Sequence, residues 1–76
     1  MKELLTYIAQ NLVDNPDQVE VTEHVGESET TLELRVASED MGKVIGRQGR
    51  IAKWIRVLMR SVGQRKGTRV SVEISD

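Results

Sequence analysis

The sequence predicts a small α+β domain, a three-stranded mixed sheet packed against three helices in the order α-β-β-α-α-β. Three observations carry this. Apolar residues recur with a helical period at 2–13 and at 51–62. They alternate with period two at 18–25, 30–37 and 68–74. Glycine and polar turns separate the runs. Seventy-six residues make one domain, 1–76, with one core. A chain of this size buries only about 60% of the surface its unfolded form exposes, so association would add stability.

The first helix places Leu4, Leu5, Ile8, Leu12 and Val13 on one side, and Asn15-Pro16 ends it, because proline pushes the preceding residue out of the α region. Its polar face lacks the lysines and arginines of a membrane-surface helix, which favours a core-facing role. Val19 and Val21 mark a first strand, residues 26–29 a turn, and Leu32, Leu34 and Val36 a second strand, together an antiparallel hairpin. Ser38 is a candidate N-cap for a short helix over 39–45, with Glu39 and Asp40 in its first turn, and Gly46 stops it. Ile51, Trp54, Ile55, Leu58, Met59 and Val62 then form the strongest helical stripe, with Gly63 as candidate C-cap. Val70, Val72 and Ile74 alternate in a last strand, and its helical crossover from the second strand predicts a parallel pair.

The chain has no cysteine, which excludes disulfides and thiolate chemistry and fits a reducing, cytoplasmic setting. The N-terminus does not read as a signal peptide, and no apolar run is long enough to span a membrane. No nucleotide-binding glycine motif, histidine–carboxylate cluster or activated nucleophile is legible, so the chain reads as a non-enzyme that needs no cofactor, metal or small-molecule substrate. His24 reads as a surface histidine, and Tyr7 and Trp54 as core or interface residues. The net charge of −1 hides an asymmetry: residues 1–40 carry two bases against ten acids, and residues 41–76 nine bases against two acids. The basic half suits a polyanion, and the opposite halves equally suit pairing between copies.

The turn at residues 41–52, MGKVIGRQGRIA, decides more. Gly46 and Gly49 bracket Arg47 and Gln48 between two helical segments. Glycines allow backbone angles that side chains forbid, and the helix that begins here aims its free N–H groups at the turn. Lys43, Arg47 and Arg50 add positive charge, and Val44 and Ile45 can floor an apolar groove alongside. The arrangement fits a phosphate backbone.

The segment VIGRQGRI resembles the I-G-x-x-G signature of K-homology (KH) RNA-binding domains, and helix first with strand last resembles the type II form of that fold. The resemblance covers the whole chain and is similar to the small single-domain bacterial members. It implies a clamp for single-stranded RNA at Gly46, Arg47, Gln48 and Gly49, in a fold that grips about four nucleotides. It also implies a base groove along Val44, Ile45 and the first turn of the next helix, where Ala52 and the bulky Trp54 depart from the common pattern. Arg50 and then Lys53 are the next candidates for RNA contact, whereas Arg56 and Arg60 read as a solvated face and Arg65, Lys66 and Arg69 as an extended positive field. Low sequence specificity, a chaperone-type role, a homodimer and a larger KH partner protein are implied by the family alone. A dimerisation or adaptor module, with RNA binding secondary, is the alternative.

Overall fold

The structure, a computed structural model, describes all 76 residues. The elements are α1 (Lys2–Leu12), β1 (Glu20–Val25), β2 (Glu29–Arg35), α2 (Met41–Ile45), α3 (Arg50–Arg65) and β3 (Arg69–Ser75), in the predicted order. β1 and β2 pair antiparallel, with Val21 opposite Leu34 and Glu23 opposite Leu32. β3 returns parallel to β2, with Val70 opposite Thr30 and Val72 opposite Leu32. The sheet order β1-β2-β3 makes β3 an edge strand. This is the expected α+β arrangement of the type II KH fold.

One face of the sheet makes the core. Leu5 and Ala9 of α1, Val21 of β1, Leu32 and Leu34 of β2, Val44 of α2, Ile55 and Met59 of α3, and Val70 and Val72 of β3 form one cluster, which Val36 completes. The strict alternation along β2 and β3 is what turns one side inward. Full burial of each Leu, Ile or Met contributes about 1.5–3 kcal/mol, so Leu5, Leu32, Leu34, Ile55 and Met59 dominate cohesion.

Several local expectations shift. The segment before β1 forms a 3-10 turn at Pro16–Gln18, so the strand starts at Glu20. Ser38 caps nothing: it opens a 3-10 turn at Ser38–Asp40, and α2 begins only at Met41. α3 does not stop at Gly63 but continues to Arg65. Its end is a Schellman turn in which Thr68 N–H donates to Gly63 O at 3.0 Å, Gly67 N–H donates to Gln64 O at 3.1 Å, and Gly67 takes the left-handed position. Gly63 serves packing instead. A Cβ there would collide with Val70 Cγ2 and stand 2.9 Å from Thr68 O, so its bare backbone lets α3 lie close against β3.

The α3 stripe is also rotated. Ala52, Ile55, Met59 and Gly63 are the buried residues, with Ile51, Leu58 and Val62 at the margin. Trp54 is 53% exposed and Val57 48%, which removes Trp54 from the core. Tyr7 also stands largely in solvent, on the outer side of α1. A helix laid on a small sheet has a narrow buried arc, which Ile55 and Met59 fill, with Ala52 beside them and Gly63 where the backbones approach most closely.

Gly63→Ala should lower stability by roughly 1–3 kcal/mol, since the inserted methyl group meets the backbone leading into β3 as well as a side chain. Gly42→Ala, in α2 with no atom near the added carbon, should raise it by about 0.5–1 kcal/mol. Chemical denaturation of the two variants checks both signs.

Candidate nucleic-acid interface

The turn between α2 and α3 is built from three consecutive demands on the backbone. α2 closes with Gly46 N–H donating to Gly42 O at 2.9 Å. Gly46 then adopts φ 78°, ψ 176°, a region open to glycine alone. Its missing side chain is filled by a neighbour: a Cβ would fall 2.6 Å from Ile51 Cγ1. Gln48 is left-handed at φ 57°, ψ 25°, and Gly49 follows at φ 74°, ψ 15°. Gly49 N–H donates back to Gly46 O at 3.2 Å, which ties the turn across its base. Gln48 is the chain's one non-glycine residue with positive φ, a conformation that throws its side chain outward at the tip.

α3 starts at Arg50 without a side-chain cap and without an acid in its first turn. The positive end of a 16-residue helix is therefore left to whatever occupies the turn. Arg47, Gln48 and Arg50 are all exposed there. Arg50 Nη2 donates to Gln48 Oε1 at 3.3 Å, which orients the Gln48 amide with its NH2 free. No acid pairs with Arg47 or Arg50. Backbone dipole, two guanidinium groups and a free amide thus converge on one open corner.

Asp40 sets where that corner sits. Its side chain is fully buried and accepts bonds from the N–H groups of Asp14 (3.2 Å) and Asn15 (3.0 Å) and from Asn15 Nδ2 (3.0 Å). The carboxylate thereby holds the α1–β1 connection against the start of α2. Burial pushes the Asp40 carboxyl upward, but the Asn15 amide and the two backbone donors outweigh it and hold it below the usual carboxylate range. Lys43 is less free than its place in the sequence suggests: its Nζ lies 3.1 Å from Asp14 Oδ2, and that bond and charge raise its pKa. The pair is well exposed and screened by solvent, so an anion can compete for the lysine.

The other anticipated residues divide. Lys53 stands exposed on α3, one turn beyond Arg50. Ile45 is half-buried and offers apolar surface beside the turn. Val44 does not: it is 0% exposed and lies in the core, so it supports the groove from beneath instead of lining it. An α2 of only five residues has one inward position in its last turn, and Val44 takes it.

A family model described as KhpA/KhpB, KH domain matches residues 2–74. The chain belongs to the KhpA/KhpB family of KH domains. It is 57% identical to a protein of Clostridium acetobutylicum named RNA-binding protein KhpA, over 97% of this chain and 99% of that one. It is 55% identical to the protein of that name from Caldanaerobacter subterraneus, with the same coverage. The namesake from Chlamydia pneumoniae is 49% identical over the whole of this chain and 97% of its own. No solved structure matches significantly.

This KhpA/KhpB-family domain also gathers residues that sequence reasoning set aside. Arg56 and Arg60 of α3 and Arg69 of β3 line one cleft, the only one on the molecule. The i, i+4 spacing of the first two is visible in the sequence, but their meeting with Arg69 depends on the path of β3. The open face of the sheet carries Glu20, Glu29, Glu33 and Glu73, with Arg35 opposite Glu20 and Arg69 opposite Glu29 on the same face.

Gly46→Ala should destabilise the domain more than Gly49→Ala. The first meets Ile51 and an unfavourable φ, whereas the second has open space and only left-handed strain of about 1–2 kcal/mol. Equal costs in urea denaturation would contradict this account of the turn. Asp40→Asn should lower the melting temperature near neutral pH. Because the folded-state pKa of Asp40 is lowered, its stabilisation is complete above the unfolded value of about 3.9 and is lost as pH falls through the folded value. The gap in melting temperature between wild type and Asp40→Asn should therefore narrow below about pH 4.

Proposed function

We propose that this domain binds single-stranded RNA through the turn at residues 46–49, with low sequence specificity, as a chaperone-type module of the cytoplasm. The observation that carries the reading is the uncapped start of α3 behind a glycine-pinched turn with unpaired Arg47 and Arg50. Loop N–H groups and Arg47 hold phosphates, and Gln48 bonds the backbone or a base edge. Arg50, Lys53 and Lys43 add charge, and Ile45, with Val44 beneath it, floors the base groove. Grip by backbone and charge is indifferent to base identity, which is why specificity is low. The relatives' shared name, RNA-binding protein KhpA, supports the ligand class.

A single small clamp holds RNA weakly, so the active unit is a homodimer or a pair with a larger, KhpB-like KH protein, which raises affinity through effective concentration. Trp54 and Val57, exposed on successive turns of α3, are the surface for that contact. The same patch favours a second reading, in which the domain is chiefly a dimerisation or adaptor module and RNA binding is secondary.

Titration of short single-stranded RNA at two salt concentrations separates the readings. Wild type should bind and weaken steeply with salt, and Arg47→Asp/Gln48→Asp should lose binding with an unchanged circular dichroism spectrum. Equal, salt-insensitive binding by both proteins would falsify the clamp. Trp54→Glu/Val57→Glu should halve the mass in sedimentation while the monomer still binds a tetranucleotide; an unchanged mass places the interface elsewhere.

A further inference from the structure

Of the lysine and arginine side chains in this domain, only Lys43 forms an ion pair, and it stands beside the turn. Its Nζ lies 3.1 Å from Asp14 Oδ2, so the pair joins the α1–β1 connection to α2. Arg47 and Arg50, by contrast, face no carboxylate. A site for a polyanion loses attraction when it neutralises its own lysine, so the partner calls for a reason.

The two halves of the pair differ in freedom. Asp14 follows the end of α1, and its N–H donates to Oδ1 of the buried Asp40 at 3.2 Å, while Asn15 N–H donates to Oδ2 at 3.0 Å. The Asp40 anchor thus fixes the backbone that carries the Asp14 carboxylate. That carboxylate bonds nothing besides Lys43 and stands mostly in solvent. Lys43 is half-exposed on α2, three residues before Gly46 and so about 4.5 Å from it along the helix axis. Its ammonium swings on a flexible four-carbon stem with three donors. In any exchange of partners the carboxylate stays and the lysine leaves.

We propose that Asp14 is a built-in competitor for the RNA phosphate at Lys43, so that binding exchanges a carboxylate oxygen for a phosphate oxygen on one ammonium. The proposal rests on the RNA-binding reading above and adds to it a residue that opposes the ligand. The exchange sorts ligands. A free anion with no hold besides Lys43 must displace a partner that is fixed in place, and it is turned away. A strand already held by the loop N–H groups and Arg47 presents its next phosphate at high effective concentration and wins the lysine. Asp14 thereby lowers affinity for every anion but favours a continuous strand over inorganic phosphate or a lone mononucleotide.

Fluorescence anisotropy with uridine tetramer RNA, on the full chain at several salt concentrations, tests this through a double-mutant cycle. Asp14→Asn keeps the backbone bond to Asp40 and should bind the tetramer about two- to fivefold more tightly than wild type, the scale of one exposed ion pair. Asp14→Ala should behave alike. The plot of log affinity against log salt should steepen by up to about one unit, because no released carboxylate is left to take up a cation. Lys43→Met should weaken binding, and adding Asp14→Asn to it should change nothing further. Equal or weaker binding by both Asp14 variants means that Asp14 is idle or holds Lys43 in its binding position, and it overturns the proposal. Tightening that persists beside Lys43→Met comes from the diffuse charge of Asp14 and overturns it too. Failure of the underlying reading looks different: Arg47→Asp/Gln48→Asp would then leave tetramer binding unchanged.

Discussion

The close approach of Gly46 to Ile51 is the constraint from which the functional side of this domain follows. The Ile51 side chain occupies the space where any other residue at 46 would carry its Cβ. That contact seats the first turn of α3 against the end of α2, and it forces the chain through a φ of 78° that only glycine takes easily. Once the two helices are pinned this closely, three residues must reverse the chain. Gln48 and Gly49 do so in the left-handed region, and the polar tip has nowhere to point but outward.

The interface and the core are therefore coupled. Asp40 and Val44 belong to no binding surface, yet one ties α2 to the α1–β1 connection and the other plugs α2 into the core. A five-residue helix could not hold a fixed angle by itself. Its rigidity is borrowed from buried anchors at both ends, so changes at Asp40 and Val44 would reach RNA binding through position alone. The same economy governs α3. Its underside buries Ile55 and Met59 with Ala52 and Gly63 against the sheet, its outer side leaves Trp54 and Val57 in solvent, and its flank carries the basic row.

Much of this is legible in the order of the amino acids. Period-two alternation at Leu32, Leu34, Val70 and Val72 identifies the two parallel strands and their inner faces, because a strand's side chains must alternate. The glycine pair identifies the turn, since nothing else explains two permissive residues around charged ones. The misreadings share one cause. Gly63 and Gly67 are equally good caps in one dimension, and only contact with Val70 shows which is a packing glycine. Ser38 is a good cap by type, but the buried carboxylate two residues on organises the segment instead. Trp54 fits the apolar period, but the buried arc of α3 is narrower than the period implies.

By itself the sequence determined the element order, the inward faces of the strands and the chemistry of the turn, because each is set by residues a few positions apart. The tertiary structure alone decided which apolar residues stay in solvent, that Asp40 is a buried anchor, and that Arg69 meets Arg56 and Arg60 across a cleft. Those outcomes depend on where the parallel return of β3 brings distant backbone segments together, and no local periodicity records that distance.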